Sequence, residues 1–273
     1  MTEPSLLVAA SSHRSGSTLV QRYVTARSST FVWGENGPFF ESLLQAAEGW
    51  PQQPHNERAY ERVLDDPAHS ERRYMPNLSP PRRRVERAFH DAILSIYDVL
   101  PEGYDGWGWK AVGYGRREVD FVRSLFPQIR LILLVRDPWD VARSVRRKGW
   151  IDRRGYFAGV DDVARRWARS TAELARIAHE DEHGSCLLLR YEDLPDRLPD
   201  LNRFLGIPDA PEREREIITR RLGTAPRLSR FRVTAEDVEH VTRAAGDVAA
   251  SLGYAPPSAD GPGGALSAVE APS

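Results

Sequence analysis

The chain has 273 residues, enough for one or two domains, and 41% hydrophobic residues give it material for a sizeable core. Its 38 basic and 39 acidic residues nearly cancel, so it lacks the basic excess of a general nucleic-acid or anionic-membrane binder. A single cysteine, Cys186, excludes an intrachain disulfide and a cysteine-based metal cluster.

In chain order, the first four residues read as a frayed terminus. Leu6 to Ser11 is an apolar strand candidate. It is too short for a membrane span and has no basic flank for a signal peptide, so a cytoplasmic protein is expected. Ser17 to Arg27 follows as a helix, Thr30 to Trp33 as a short strand, and about Pro38 to Glu48 as a helix. Residues 50–82, rich in Pro, Arg and polar groups, read as an insertion. A helix near Val85 to Val99 leads to a possible strand at Trp107 to Val112. Arg130 to Arg136 is the clearest buried strand, and Pro138 suits the first turn of a helix. Next come a long helix at about Asp161 to Glu182, a strand from Cys186 to Leu189, and helices at Leu198 to Leu205 and Ala235 to Leu252. Residues 255–273, with four prolines and three glycines among small residues, read as a disordered tail. Short apolar runs alternating with amphipathic stretches predict one α/β domain, residues 5–254, on a parallel sheet flanked by helices.

Two segments carry candidate chemistry. From Leu6 to Leu19 the chain passes from a strand through a polar turn into a helix. Ser15, Gly16 and Ser17 are small enough for the backbone to approach an anion, and the new helix aims its free amides there. Arg14, Ser17 and Thr18 add side-chain donors, although Ser and Thr also serve as ordinary helix caps. Against the nucleoside-triphosphate loop G-x-x-x-x-G-K-[ST], Gly16 and Thr18 fit, but Ser11 replaces the first Gly and Ser17 the Lys. The missing lysine weakens a kinase or GTPase reading. The second segment is Leu131 to Val135 followed by Arg136, with Ser144 eight residues beyond Arg136, about two helical turns later. An Arg at the carboxyl end of a parallel strand lies where open α/β sheets bind ligands. A salt bridge to Asp137 or Asp140 would explain Arg136 as well, and a solvated helix position would explain Ser144. Of the basic residues 36 are Arg and two are Lys, Lys110 and Lys148. A compact ammonium differs from a guanidinium fork, which marks these two positions, though chance survival explains them equally well.

Arg14 to Leu19 resembles the 5′-phosphosulfate loop of sulfotransferases that use 3′-phosphoadenosine 5′-phosphosulfate (PAPS), a degenerate P-loop with Lys or Arg two places before the Gly. The Arg form is similar to the Golgi-type and tyrosylprotein sulfotransferases. The cytosolic type has Lys there and a Trp where Leu19 stands, so stacking of the adenine on that Trp is not expected. The family's 3′-phosphate site has the form of the second segment, which implies that Arg136 and Ser144 bind the 3′-phosphate. Lys148, one turn on, stands where tyrosylprotein sulfotransferases add a basic residue. Each motif alone is weak, but in this order and about 120 residues apart they are specific. Tyr191 to Leu194, Phe204 to Ile207 and Leu252 to Tyr254 look like late segments of the same family, with Tyr191 expected near the adenine or else at the core edge.

The resemblance implies a P-loop NTPase-like sulfotransferase fold, PAPS as co-substrate, and a cofactor segment of Arg14, Ser15, Gly16, Ser17, Thr18, Leu19, Arg136, Ser144, Lys148 and Tyr191. Sulfuryl transfer is an in-line displacement that depends on positioning and charge. Arg14 and the loop amides suit the leaving phosphate, and Lys110, at a strand end, is the next cation in line. Glu35 is the expected base: it follows Gly34 and lies 21 residues after Arg14, the separation seen in tyrosylprotein sulfotransferases. A solvated turn carboxylate is the alternative for Glu35. His13 is expected as a loop or backbone partner rather than the base. No metal is expected, because no carboxylate set clearly suits Mg²⁺. The expected acceptor is a metabolite, lipid headgroup or sugar hydroxyl, and residues 50–82 would either cover it or form a solvated flap. A small-molecule kinase and a non-catalytic nucleotide-binding protein are the competing readings.

Overall fold

The five apolar segments form β1 (Leu6–Ala10), β2 (Thr30–Trp33), β3 (Gly106–Val112), β4 (Arg130–Val135) and β5 (Cys186–Arg190). They pair in the order β2-β3-β1-β4-β5, every pair parallel. Our computed structural model describes residues 2–50, 54–66, 68, 78–97, 99–151, 156–220 and 234–257. Its helices are α1 (Ser17–Arg27), α2 (Phe39–Gly49), α3 (Pro54–Asp65), α4 (Arg82–Ile96), α5 (Arg116–Leu125), α6 (Pro138–Arg147), α7 (Val160–His179), α8 (Leu198–Leu205), α9 (Pro211–Thr219) and α10 (Ala235–Ser251).

Helices cover both faces of the sheet, which is why β1 and β4 read as unbroken apolar runs rather than alternating ones. On one face Leu7, Ala9, Trp109, Leu131 and Leu133 pack against α2, α4, α5 and α7, with the Phe40 and Trp109 rings stacked at 4.6 Å. On the other, Leu6, Val8, Ala10, Ile132 and Leu134 meet Val20, Tyr23 and Val24 of α1 and Leu201 of α8. Each fully buried side chain of this size contributes about 1.5–3 kcal/mol. A third cluster joins α6, α7 and α10 through Trp139, Trp167 and Val241. The start of α6 follows from its sequence: Pro138 occupies the first turn, and the Asp137 carboxylate accepts the Asp140 N–H at 3.0 Å.

β1 is central. The chain leaves it for β2 and β3 on one side and returns to β4 and β5 on the other, so the loops after β1 and β4 diverge at the carboxyl edge. A parallel sheet opens its ligand crevice at such a point.

The predicted strands and most helices hold to within a few residues, and three helices were not predicted. In α5 the buried Val119, Phe121, Val122 and Leu125 have helical spacing that the charged residues between them obscure. α3 lies inside the stretch read as an insertion and is tied to α4 by the Arg83–Glu61 pair at 3.0 Å. α9 begins at Pro211, in a strongly charged stretch. The terminus is not frayed from residue 2 onward: Pro4 is buried, and Trp107 Nε1 donates to the Thr2 carbonyl at 2.7 Å. Most of the predicted tail, residues 258–273, lies outside the described residues, as do 51–53, 67 and 69–77 of the insertion. Among the described residues no helix is long and apolar enough to cross a membrane.

Candidate active site

The loop from Ser11 to Gly16 joins β1 to α1 at the carboxyl edge. Arg14 has φ +67°, a left-handed conformation that costs a non-glycine residue about 1–2 kcal/mol. Two contacts from the β4 side hold it there. Arg136 Nη1 donates to the Arg14 carbonyl at 2.9 Å, and Arg14 Nε donates to Ser144 Oγ at 3.0 Å. Gly16 also has positive φ, +92°, and caps α1. A Cβ on it would stand 2.1 Å from the Tyr191 ring, so glycine is required both by the backbone and by the close packing. The N–H groups of Arg14 to Thr18 have no acceptor among the described residues. Ser15 is buried and donates to the Ser12 carbonyl, Ser17 is buried, and Thr18 is exposed. Leu19 packs, half-buried, on the α1 side of the core.

Arg136 leaves the end of β4 and lies over the Tyr191 ring at 4.5 Å. It pairs with Asp140 at 3.2 Å, so the salt bridge considered from sequence does form, together with the contact to Arg14. Its Nε makes no hydrogen bond but faces the Glu192 carboxylate at 3.9 Å. Ser144 is buried rather than solvated. Burial, with Arg147 and Arg136 nearby, presses the Arg14 pKa downward. Lys148 is exposed just past α6, where its N–H caps the helix on the Ser144 carbonyl.

A second pair links the loop after β2 to β3. Lys110 does not stand at the strand end but two residues inside it, beside Val8 on the sheet face that α1 covers. A buried ammonium is costly unless paired. Its Nζ donates to the Glu35 carboxylate. Lys110's side chain is 8% exposed and Glu35's 43%, so Glu35 is an ion-paired carboxylate with one side open. Asn36 next to it accepts a hydrogen bond from Tyr97 OH, which steadies the β2 loop.

His13 departs from expectation. It has no backbone partner among the described residues; its ring sits edge-on to Trp150, Tyr156 and Phe157 at 5.4, 6.1 and 6.2 Å. Burial lowers its pKa below the usual 6.5, with Glu35 opposing and Lys110 and Arg14 assisting. His13 lines a cleft of about 670 Å³ together with Ser11, Ser12, Val112 and a stripe of α7. None of the described residues of 50–82 borders it. Ser11 and Ser12 Oγ are buried there without partners. The aromatic wall and the α7 stripe were missed from sequence: Trp150, Tyr156 and Phe157 follow α6 at positions with no helical or strand period to read. Among the described residues no group of three or more His, Cys, Asp or Glu is placed to hold a metal ion.

The sequence profile described as the sulfotransferase family matches residues 7–210. No curated protein sequence matches the chain. Among solved structures, the chain is similar to the sulfotransferase domain from the curacin biosynthetic pathway, with TM-score 0.55, 18% identity, and coverage of 94% of this chain and 100% of that one. It also matches the sulfotransferase domain from the Synechococcus PCC 7002 olefin synthase at TM-score 0.49 and 17% identity over 94% and 98% of the two chains. A sulfotransferase from Alicyclobacillus acidocaldarius matches at 0.47 and 15% over 89% and 96%. The first of these likenesses shows a shared α/β fold.

Proposed function

Because the chain belongs to the sulfotransferase family, we propose that it moves the sulfuryl group of PAPS to a hydroxyl of a small-molecule, lipid or sugar acceptor, with residues 5–254 as the catalytic unit. The observation that carries this reading is the junction of the two phosphate motifs: Arg14 reaches Ser144, and Arg136 reaches Arg14, across 130 and 122 residues of sequence. The donor set suits a nucleotide with two separate phosphates. The unpartnered amides of Arg14 to Thr18 and the narrow passage at Gly16 both favour an anion here.

Arg14 and the loop amides hold the 5′ end of the nucleotide, and Ser15, Gly16, Ser17, Thr18 and Leu19 shape that loop. Arg136 and Ser144 hold the 3′-phosphate. Ser144 already accepts from Arg14, so its own O–H is free to donate. Lys148, exposed and close in sequence, adds charge, and Tyr191 closes the side at Gly16. PAPS supplies a sulfuryl group whose bond to phosphate breaks as the bond to the acceptor oxygen forms. Glu35 takes the acceptor's proton. Lys110 exchanges its ion pair with Glu35 for the sulfuryl oxygens, which frees the carboxylate as charge arrives. Arg14 in the loop and a Glu after a Gly support machinery of the tyrosylprotein kind. No metal is needed when guanidinium and ammonium groups carry the charge.

Equilibrium binding of adenosine 3′,5′-bisphosphate, adenosine 5′-monophosphate and ATP tests the proposal. A second phosphate held by charged hydrogen bonds should favour the bisphosphate over the monophosphate by roughly 10–100-fold, at about 1.5–3 kcal/mol per bond. Equal affinity for the two, or tighter binding of ATP, would overturn it.

A further inference from the structure

We propose that the cleft beside His13 takes a neutral carbohydrate as the acceptor, an inference that rests on the sulfuryl-transfer reading above. Its volume of about 670 Å³ falls among sites that enclose a small organic ligand. Its inner end is the loop itself, through Ser11, Ser12 and His13. His13 directly precedes Arg14, so that end of the cleft adjoins the loop proposed to hold the 5′ end of the nucleotide.

The walls carry charge of both signs. Glu41, Glu118, Asp162 and Glu173 face the cleft together with Arg117, Arg166 and Arg169. Asp162 already pairs with Arg166 at 2.9 Å, Glu173 accepts the Arg116 N–H at 2.9 Å, and Glu41 accepts from Gln45 at 3.2 Å. These carboxylates keep lone pairs for further donors, and the Arg166 fork keeps N–H groups. A sugar meets such a wall with hydroxyls that donate to carboxylates and accept from guanidinium groups. An alkyl chain or sterol would strip water from the same charges and return no hydrogen bonds, and an acceptor carrying charge of one sign would meet like charges on this mixed wall, four carboxylates among three guanidinium groups. Ser11 is 1% exposed, and its hydroxyl has no partner, so the floor offers one more group that a hydroxylated ligand can satisfy.

The rim supplies the apolar half of carbohydrate recognition. Tyr156 is 62% exposed, with Trp150 stacked behind it at 5.6 Å. Phe157 beside it lines the same cleft. A broad, backed aromatic surface suits the C–H face of a pyranose ring, which is flat and weakly polar.

The test measures radiolabelled sulfuryl transfer from PAPS to methyl glycosides, maltose and trehalose, with phenol, octanol and 3-hydroxybutyrate as competitors of other classes. Saturation-transfer NMR on the protein loaded with the bisphosphate reads sugar binding without turnover. Sugars should bind and be sulfated with kcat/KM at least about 10-fold above the other classes. Tyr156→Ala should lower that value about 10-fold, the upper range of an aromatic contact, with Tyr156→Phe retaining it and bisphosphate affinity unchanged. If phenol, octanol or the hydroxy acid is the better acceptor, the carbohydrate assignment is wrong and sulfuryl transfer stands. If the bisphosphate binds and no sugar binds or reacts, the assignment is likewise wrong. Failure of the bisphosphate to bind would instead remove the underlying reading, and the assignment with it.

Discussion

Glu35→Gln separates catalysis from binding, because the substitution keeps size and hydrogen-bonding reach while removing basicity. Two magnitudes follow from the geometry. The Lys110 side chain is 8% exposed and that of Glu35 43%, and Gln still offers Lys110 an oxygen. Gln nevertheless leaves the buried Lys110 ammonium without its counter-charge, so the variant should lose about 1–3 kcal/mol of stability, tempered by the open side of residue 35. The rate effect should be larger. Loss of a positioned general base lowers turnover by roughly 10²–10⁴-fold, or about 3–5 kcal/mol in the barrier. Bisphosphate affinity should stay within a few-fold, since Arg14, Arg136 and Ser144 belong to a different junction of the sheet. The assay is transfer of labelled sulfuryl from PAPS to the best acceptor found, at saturating donor, alongside calorimetric titration of the bisphosphate and a thermal melt. Near-normal turnover with an intact melt would refute Glu35 as the base and turn attention to His13.

Arg136→Ala should weaken bisphosphate binding by about 2–4 kcal/mol, because it removes both a phosphate donor and the bond that holds the Arg14 carbonyl; an unchanged dissociation constant would return Arg136 to its pair with Asp140. Gly16→Ala places a methyl group 2.1 Å from the Tyr191 ring at φ +92°, so melting temperature and bisphosphate affinity should both fall; a variant matching the parent in both would contradict the packing. His13 has a folded-state pKa below 6.5, so the unfolded chain binds more protons as the pH falls through 6.5, and stability drops until the folded-state pKa is passed. Urea titrations from pH 8 to 5 should show the parent losing stability relative to His13→Gln, and parallel curves would argue against a buried neutral imidazole.

How much of this was legible in the sequence depended on whether chemistry followed the chain. The five strands were readable because burial on both faces leaves unbroken apolar runs such as Leu131 to Val135. The helices α5 and α9 were not, since their buried residues are spaced among charges and only tertiary packing selects them. Arg14, Gly16, Arg136 and Ser144 stood out because a strand, a turn and a helix start are contiguous in sequence. Tyr191 could be placed on a strand end, but that its ring would cover Gly16 could not be read from its position. The aromatic surface of Trp150, Tyr156 and Phe157 had no signal at all, because their positions follow no helical or strand period in the sequence.

The contacts that matter most are set by the order of strands, which the order of residues does not reveal. β2 lies beside β3, so Glu35 at the end of one meets Lys110 within the other, 75 residues away. β1 lies beside β4, so Arg14 meets Ser144 and Arg136. The loop after β1 therefore stands between an ion pair on its β3 side and a guanidinium–hydroxyl pair on its β4 side. A lysine pointing toward the α1 face of the sheet would be an expensive error in an isolated strand, yet it is tolerable here because the neighbouring strand delivers a carboxylate. In a chain that uses Arg at 36 of 38 basic positions, the residue kept there is a compact ammonium, which fits between strands where a guanidinium fork would need more room. In the composition Lys110 was marked out with chance survival an equal alternative, and the strand order favours the first reading by giving this ammonium a carboxylate partner.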